Sequence, residues 1–476
     1  MKFAIRLAAT LSVAALLSAC GTNETDTKDK KAGSGEAEEA AFDRDPYPST
    51  YKAYPSDAVL LRDATVYDGL GNVYENYDVL LQDGNIANMG EDLEAGDDTE
   101  VVDASGKFVT PGIIDNHSHL GVYPSPSVSG LQDGNEISAP VTAEVWAEHG
   151  IWPQDPGFTR ALAGGVTSLQ ILPGSANLFG GRGVTLKNVL SRTVQGMKFP
   201  EAPYTLKMAC GENPKRVYGY GGGRFPGGAP YSRMGNVAGY RGSWIEAQAY
   251  DQKWDSWEEE GGDMPTRNLE LDTLRGVLDG DILVHMHCYR ADEMAQVIDM
   301  SKEFGYKVTS FHHAVESYKI ADKLAEEGIC SSMWADWWGF KMEAYDGIRE
   351  NIPMVHKAGA CAIVHSDSNI GIQRLNQEAA KALADGRRAG IDISDAEAWT
   401  WLSANPAKSL GIFDQTGSLE AGKDADVVLW TGNPFSTYSN AERVYIDGAL
   451  MFDLERPDYT PVTDFELGQP GEGDVK

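Results

Sequence analysis

From Ala58 to Met89 the chain alternates apolar and polar residues in short runs, AVLLRDATVYDGLGNVYENYDVLLQDGNIANM, broken by Asp-Gly, Gly-Asn and Asp-Gly-Asn. Period-two runs separated by such turns predict antiparallel hairpins. The pattern then changes. Short apolar runs rich in β-branched residues alternate with the amphipathic stretches FTRALAGG, ADEMAQVIDMSKEFG, SYKIADKLAEEG and RLNQEAAKALADGRRAG, whose apolar positions recur at helical spacing. Strand followed by helix, repeated, predicts an α/β chain closed into a parallel barrel. After Asp424 the strand pattern returns in ADVVLW and AERVYIDGALMFD. The two flanks together predict a small β-sandwich.

The first residues carry an address. In MKFAIRLAATLSVAALLSAC, Lys2 and Arg6 precede an apolar stretch too short to span a bilayer comfortably, the build of a signal peptide over residues 1–20. Leu17-Ser18-Ala19-Cys20 resembles the bacterial lipobox, in which the cysteine becomes the lipid attachment point. Gly21 stands where an inner-membrane retention signal has Asp. The expected location is therefore the cell envelope, lipid-anchored at the outer membrane and facing the periplasm. Residues 21–48 are polar, charged and without apolar periodicity, so they read as a flexible tether. The organisation that follows is an N-terminal half of the sandwich over 49–108, the barrel over 109–420, and the C-terminal half of the sandwich with the chain's tail over 421–476.

Composition limits the partners. With 476 residues and 42% hydrophobic content, the chain can bury one large core and a smaller one. Lys+Arg 40 against Asp+Glu 71 gives a net charge of −31, which opposes nucleic-acid phosphates and anionic membrane surfaces. Membrane contact is then expected through the lipid anchor only, with homo-oligomerisation left open. Cys210, Cys288, Cys330 and Cys361 are widely spaced beside apolar runs and form no C-x-x-C pair. They read as buried thiols, with pairing not decided.

Seven of the nine histidines fall in four places: FVTPGIIDNHSHLG with His117 and His119, ILVHMHCYRADEM with His285 and His287, VTSFHHAVESYKI with His312 and His313, and CAIVHSDSNIG with His365. Asp367 stands two residues after the last. An H-x-H pair on a strand places both imidazoles on one face, where they can share a cation. Apolar strands that each end in His or Asp would put many costly polar groups inside a core. Convergence on a metal explains that cost.

The chain resembles the amidohydrolase superfamily, in its imidazolonepropionase-like and prolidase-like branch. The resemblance runs from about Val59 to Asp453 and rests on TPGIIDNHSHL, AGGVTSLQILPG and the ending SANPAKSLGIFDQTGSLEAGKDADVVLWTGNP. It implies a TIM-like (β/α)8 barrel with a small β-sandwich, and a divalent metal, zinc by expectation, as one or two ions. Carried over by local match, His117 and His119 are first-strand ligands, His287 a fifth-strand ligand, His313 a sixth-strand ligand, and Asp367 both a ligand and the catalytic acid/base. His285, His312 and His365 are read as supporting or packing residues. At the bridging position the match departs from a clean pattern. Glu212, beside Gly211 at the turn leaving its strand, is preferred as ligand; Lys207, which a prolidase-like reading makes a carboxylated bridge, is the alternative.

Two segments carry further readings. YGYGGGRFPGGAPYSRMGN lacks the spacing of a phosphate-cradling loop, so it reads as a long loop over the barrel mouth, with a carboxylate-binding role open for Arg224 and Arg233. Met333, Trp334, Trp337 and Trp338 read as core packing or as an aromatic wall of the pocket. The implied function is hydrolysis of a carbon–nitrogen bond in a short peptide or N-acylated small molecule. The alternatives are a catalytically silent binding lipoprotein and a cyclic-amide hydrolase such as an imidazolonepropionase.

Overall fold

The computed structural model describes residues 45–220 and 230–456. The signal peptide, Cys20, most of the expected tether, Arg224 and the C-terminal tail lie outside the described residues. Five strands come first: β1 (Val59–Tyr67), β2 (Val73–Gln82), β3 (Asn85–Gly90), β4 (Glu100–Asp103) and β5 (Phe108–Pro111). Eight more follow: β6 (Ile113–Ser118), β7 (Val166–Ile171), β8 (Phe179–Lys187), β9 (Thr205–Ala209), β10 (Leu283–Cys288), β11 (Val308–His313), β12 (Cys330–Met333) and β13 (Cys361–Val364). The last are β14 (Val427–Trp430), β15 (Ala441–Ile446) and β16 (Ala449–Asp453).

The two flanks join in one hydrogen-bonded sheet, ordered β16-β15-β14-β5-β1-β2-β3, with β4 also pairing with β1. Its hairpins form where Asp-Gly allows them. Asp83 and Gly84 have φ of +54° and +83°, and Asp447 and Gly448 +47° and +73°, the double positive φ of the tight turn that matches strand twist. Val59, Leu61, Val79, Leu81, Val109, Val427 and Leu429 form an apolar cluster of this sheet's own.

Strands β6 to β13 form a second sheet of eight in chain order. The expectation of an all-parallel barrel needs a correction at β8, which is antiparallel to both β7 and β9. The reason is chain length. Only residues 172–178 separate β7 from β8, too few for the crossover of a dozen or more residues that a parallel neighbour requires. The seam between β13 and β6 has no ladder but is tied. Asp367 N donates to His117 O at 3.0 Å, and Ser366 N to Asp115 Oδ1 at 3.2 Å. The barrel is thus nearly closed.

Helices cover the outside: α1 (Pro156–Ala163), α2 (Arg233–Glu260), α3 (Leu269–Leu278), α4 (Ala291–Phe304), α5 (Ala321–Glu327), α6 (Asn351–Lys357) and α7 (Leu375–Arg388). In α2 the sequence expected as loop beyond Arg233 is helical, because Asn236, Tyr240, Ser243, Trp244, Ala247, Tyr250 and Trp254 form one buried stripe. The end of the expected tether is also pinned. Lys198 Nζ donates to Asp45 Oδ1 at 2.8 Å and to Tyr47 O at 2.9 Å.

The four cysteines are not thiols. Cys210 is bonded to Cys288, and Cys330 to Cys361. Strand register explains both pairs, which sequence spacing hides: Cys330 and Cys361 are direct partners on β12 and β13, and Cys210 N donates to the carbonyl of His287, next to Cys288.

Reversal of β8 carries Lys187 to the flanking sheet. There its ammonium bonds Asp424 at 2.8 Å and Asp447, with Asp426 at 3.6 Å. Burial works against this charge, but the three aspartates overcome it and raise the lysine's pKa. Removing one partner of a buried ion cluster costs about 3–5 kcal/mol. Lys187→Met is therefore expected to lose about that much stability in denaturant unfolding, and a loss under about 1 kcal/mol would show the joint to be dispensable. Burial pushes Asp426 up to about 6. The folded state then holds a proton that the unfolded chain releases, so stability falls as pH rises between the ordinary carboxylate pKa and this value.

Candidate metal centre

His117 and His119 leave the end of β6 on one face, and both histidines present Nε2 to the barrel interior because their other nitrogens are committed. For His119 the commitment is to Leu172 O, 2.8 Å from Nδ1. A carbonyl only accepts, so Nδ1 carries the proton and Nε2 is bare. For His117 it runs through a relay. Nε2 of His285 donates to Ser409 O at 3.0 Å; its Nδ1 accepts from His312 Nε2 at 2.8 Å; His312 Nδ1 then accepts from His117 Nδ1 at 2.7 Å. His117 Nε2 is left as a lone pair.

These two bare nitrogens lie 3.3 Å apart. Asp367 Oδ1 is 3.0 Å from His119 Nε2 and 3.6 Å from His117 Nε2. Burial works against the Asp367 charge, but its polar surroundings at His119, His365 and Lys207 outweigh it and hold the carboxyl below its ordinary value. Three electron-pair donors therefore face one another at these spacings, an arrangement that a cation relieves. Ligands about 2.0–2.1 Å from a tetrahedral metal stand roughly 3.3 Å apart, so the triangle fits one.

A second grouping joins His117 to His313 and His365. His287 and His313 each keep a buried Nδ1 without a hydrogen-bond partner, and His365 keeps both ring nitrogens so. Unpaired buried nitrogens are costly, and metal ligation removes the cost. The His287 and His313 ring centroids are 4.6 Å apart. Burial above all, then neighbouring cations and imidazoles, keeps His117, His287, His312 and His313 neutral, the form a ligand needs. His313 and Asp367 hold φ of +70° and +47°, left-handed backbone that residues other than glycine adopt uncommonly.

Of Lys207 and Glu212, the two residues weighed for the bridging position, Lys207 is the one that stands against the histidines. Lys207, in the middle of β9, sends Nζ to within 3.3 Å of His117 Nε2 and 3.2 Å of Pro173 O. Its low place on the strand is offset by its long side chain. Burial pushes its pKa down to about 7. Glu212 belongs to neither grouping. The chain turns at Gly211, φ +76°, where a Cβ would sit 2.6 Å from a Glu343 oxygen, and Glu212 then lines a cavity of about 600 Å³ farther out with Lys215, Arg233 and Arg290. Arg233 is also spoken for. It bonds Glu293 at 2.9 Å and Glu343, so the carboxylate-binding role left open for it has no free guanidinium to rest on.

Asp115, two residues before His117, was not singled out from the sequence. It is fully buried and receives His117 N at 3.1 Å and the Ser366 hydroxyl. The i, i+2 spacing to His117 was the available signal. His285 and His312 act through His117. Outer partners of metal ligands typically contribute 10–100-fold to affinity, so His285→Leu is expected to weaken metal binding by about that factor in competition with a chelator. Unchanged affinity in a folded variant would contradict the relay.

The fold has a known counterpart. An amidohydrolase from Thermotoga maritima MSB8 has a crystal structure that superposes with a TM-score of 0.76 at 37% identity, covering 83% of this chain and 100% of that one. This chain belongs to the amidohydrolase family. The Amidohydrolase family profile itself matches residues 260–451. Amidohydrolase tasK of Hapsidospora irregularis is 32% identical over 410 residues, 81% of this chain but 41% of that protein; the chain thus spans less than half the length of that curated relative. An imidazolonepropionase of Mesorhizobium japonicum is 23% identical over 408 residues, 77% of this chain and 90% of that one. Amidohydrolases are generally metal-dependent, in keeping with the donor set of this one.

Proposed function

We propose that this amidohydrolase uses a divalent metal, zinc by preference, to hydrolyse a carbon–nitrogen bond of a short peptide or N-acylated small molecule. The observation that carries the reading is the triangle of His117 Nε2, His119 Nε2 and Asp367 Oδ1, three unprotonated donors held at metal-site spacing. His287, His313 and His365 complete the donor set. A metal there would supply Lewis-acid polarisation of the amide carbonyl and a water acidic enough to attack near neutral pH. Asp367 accepts the proton of that water and passes it to the departing nitrogen. Lys207 replaces Glu212 as the bridging residue in this reading. With its pKa near 7, much of it is a free amine at neutral pH, and that amine can take up carbon dioxide to give a carbamate and one proton.

A panel of dipeptides, N-acyl amino acids and cyclic amides, assayed with and without added metal, tests the reaction class. Metal-dependent release of a free amine from linear amides supports the proposal; turnover of cyclic amides alone would replace it with the cyclic-amide reading. No turnover with bound metal would favour the silent binding protein. The two disulfides suit an oxidising compartment and so the proposed export; the proposed Cys20 lipidation and outer-membrane anchoring rest on the N-terminal sequence alone. Cys20→Ser should then release the protein from the membrane fraction, and retention there would contradict the anchor.

A further inference from the structure

The histidines of the metal centre are not held alike. His119 is fixed by Leu172 O, and His117 by the relay that ends at Ser409 O. His287 has no such bond. Its Nδ1 is buried without a hydrogen-bond partner, and its Nε2 has only Asn213 Nδ2 at 3.5 Å, the far limit of a hydrogen bond. The place of this ring is therefore set by packing and by its own backbone. The rings of Tyr289 and His313 lie 4.8 and 4.6 Å from it. The backbone is held where β10 meets β9: His287 stands opposite Ala209, Cys210 N donates to His287 O at 2.9 Å, and the next residue, Cys288, is bonded to Cys210.

The crosslink sits where β9 stops. That strand is five residues long, it carries Lys207, and the chain turns away at Gly211 with φ of +76°. The bond between Cys210 and Cys288 thus ties the strand of Lys207 to the strand of His285 and His287, at the barrel end where the donors gather. The other disulfide lies at the opposite end, because Cys330 and Cys361 are the first residues of β12 and β13. From Cys361 to His365 the extended chain runs about 13 Å. Resting on the metal-dependent reading above, we propose that the Cys210–Cys288 disulfide positions His287, so that oxidation of this pair completes the metal centre. In that step the two thiols pass two protons and two electrons to a small disulfide, which leaves as two thiols while the new S–S bond forms. A chain that has not yet reached an oxidising compartment then holds its ion weakly, and the hydrolase gains its metal where disulfides form.

The test is zinc affinity, measured by competition with a chelator on the full chain, for wild type, Cys210→Ala/Cys288→Ala and Cys330→Ala/Cys361→Ala. Supporting contacts of a metal ligand contribute about 10–100-fold, so the first double variant is expected to bind zinc weaker by about that factor and the second to bind it as wild type does. A second measurement needs no variant to fold. Wild type is treated with dithiothreitol, each cysteine pair is read by alkylation and mass spectrometry, and zinc release is expected to follow the opening of Cys210–Cys288 and not that of Cys330–Cys361. Zinc held equally by wild type and the first variant, or retained after that bond is reduced, overturns the proposal and leaves the metal centre standing. An equal loss in both double variants also overturns it, since lost stability and not the placing of His287 would then be the cause. Oxidised wild type that binds no zinc even after reloading overturns the metal reading, and this role with it.

Discussion

The Asp367→Asn protein is expected to keep its metal and to lose about 10²–10⁴-fold in turnover on any amide that wild type cleaves. The asparagine oxygen can still face the histidines, but it cannot take a proton from water and return it to nitrogen. In wild type the Asp367 carboxyl is held below its ordinary value by its polar surroundings, so it is ionised and stands ready as a base at neutral pH. Its position is fixed as well as its charge, because Asp367 N is bonded to His117 O across the barrel seam. The checks are kcat and metal content on the same preparation. A variant with full metal and full turnover would remove Asp367 from the chemistry.

Metal removal should have the second large effect, on stability as well as rate. Without a cation the folded chain keeps unpartnered nitrogens on His287, His313 and His365 in its interior, and three donors face one another at His117, His119 and Asp367. An ion at about a thousand times its Kd stabilises the folded state by about 4 kcal/mol. Chelation is therefore expected to lower Tm clearly and abolish turnover, and readdition of zinc should restore both. A chelated protein with the Tm and turnover of the untreated one would contradict the metal role.

How much of this was legible beforehand depends on which property placed each residue. His117, His119, His287, His313 and Asp367 could be picked out because each ends an apolar run, and the barrel gathers strand ends. The contacts that join them could not. Whether Lys207 or Glu212 approaches the histidines turns on side-chain reach from β9 and on the turn at Gly211, neither of which is written in spacing. His285 and His312, read as supporting or packing residues, fix the His117 tautomer through a backbone carbonyl at Ser409, which lies far along the chain. Reversal of β8 was masked for a similar reason: an antiparallel and a parallel buried strand read alike as apolar runs. The disulfides needed strand register, since Cys210 and Cys288 are 78 residues apart.

Elemental analysis of the protein beginning at Asp45, comparing wild type with Lys207→Ala and Glu212→Gln, bears most directly on the metal centre. Two equivalents in wild type, reduced in Lys207→Ala and unchanged in Glu212→Gln, are predicted. Absence of metal from wild type even after reloading would contradict a metal-dependent hydrolase, and a loss confined to Glu212→Gln would contradict the bridge at Lys207.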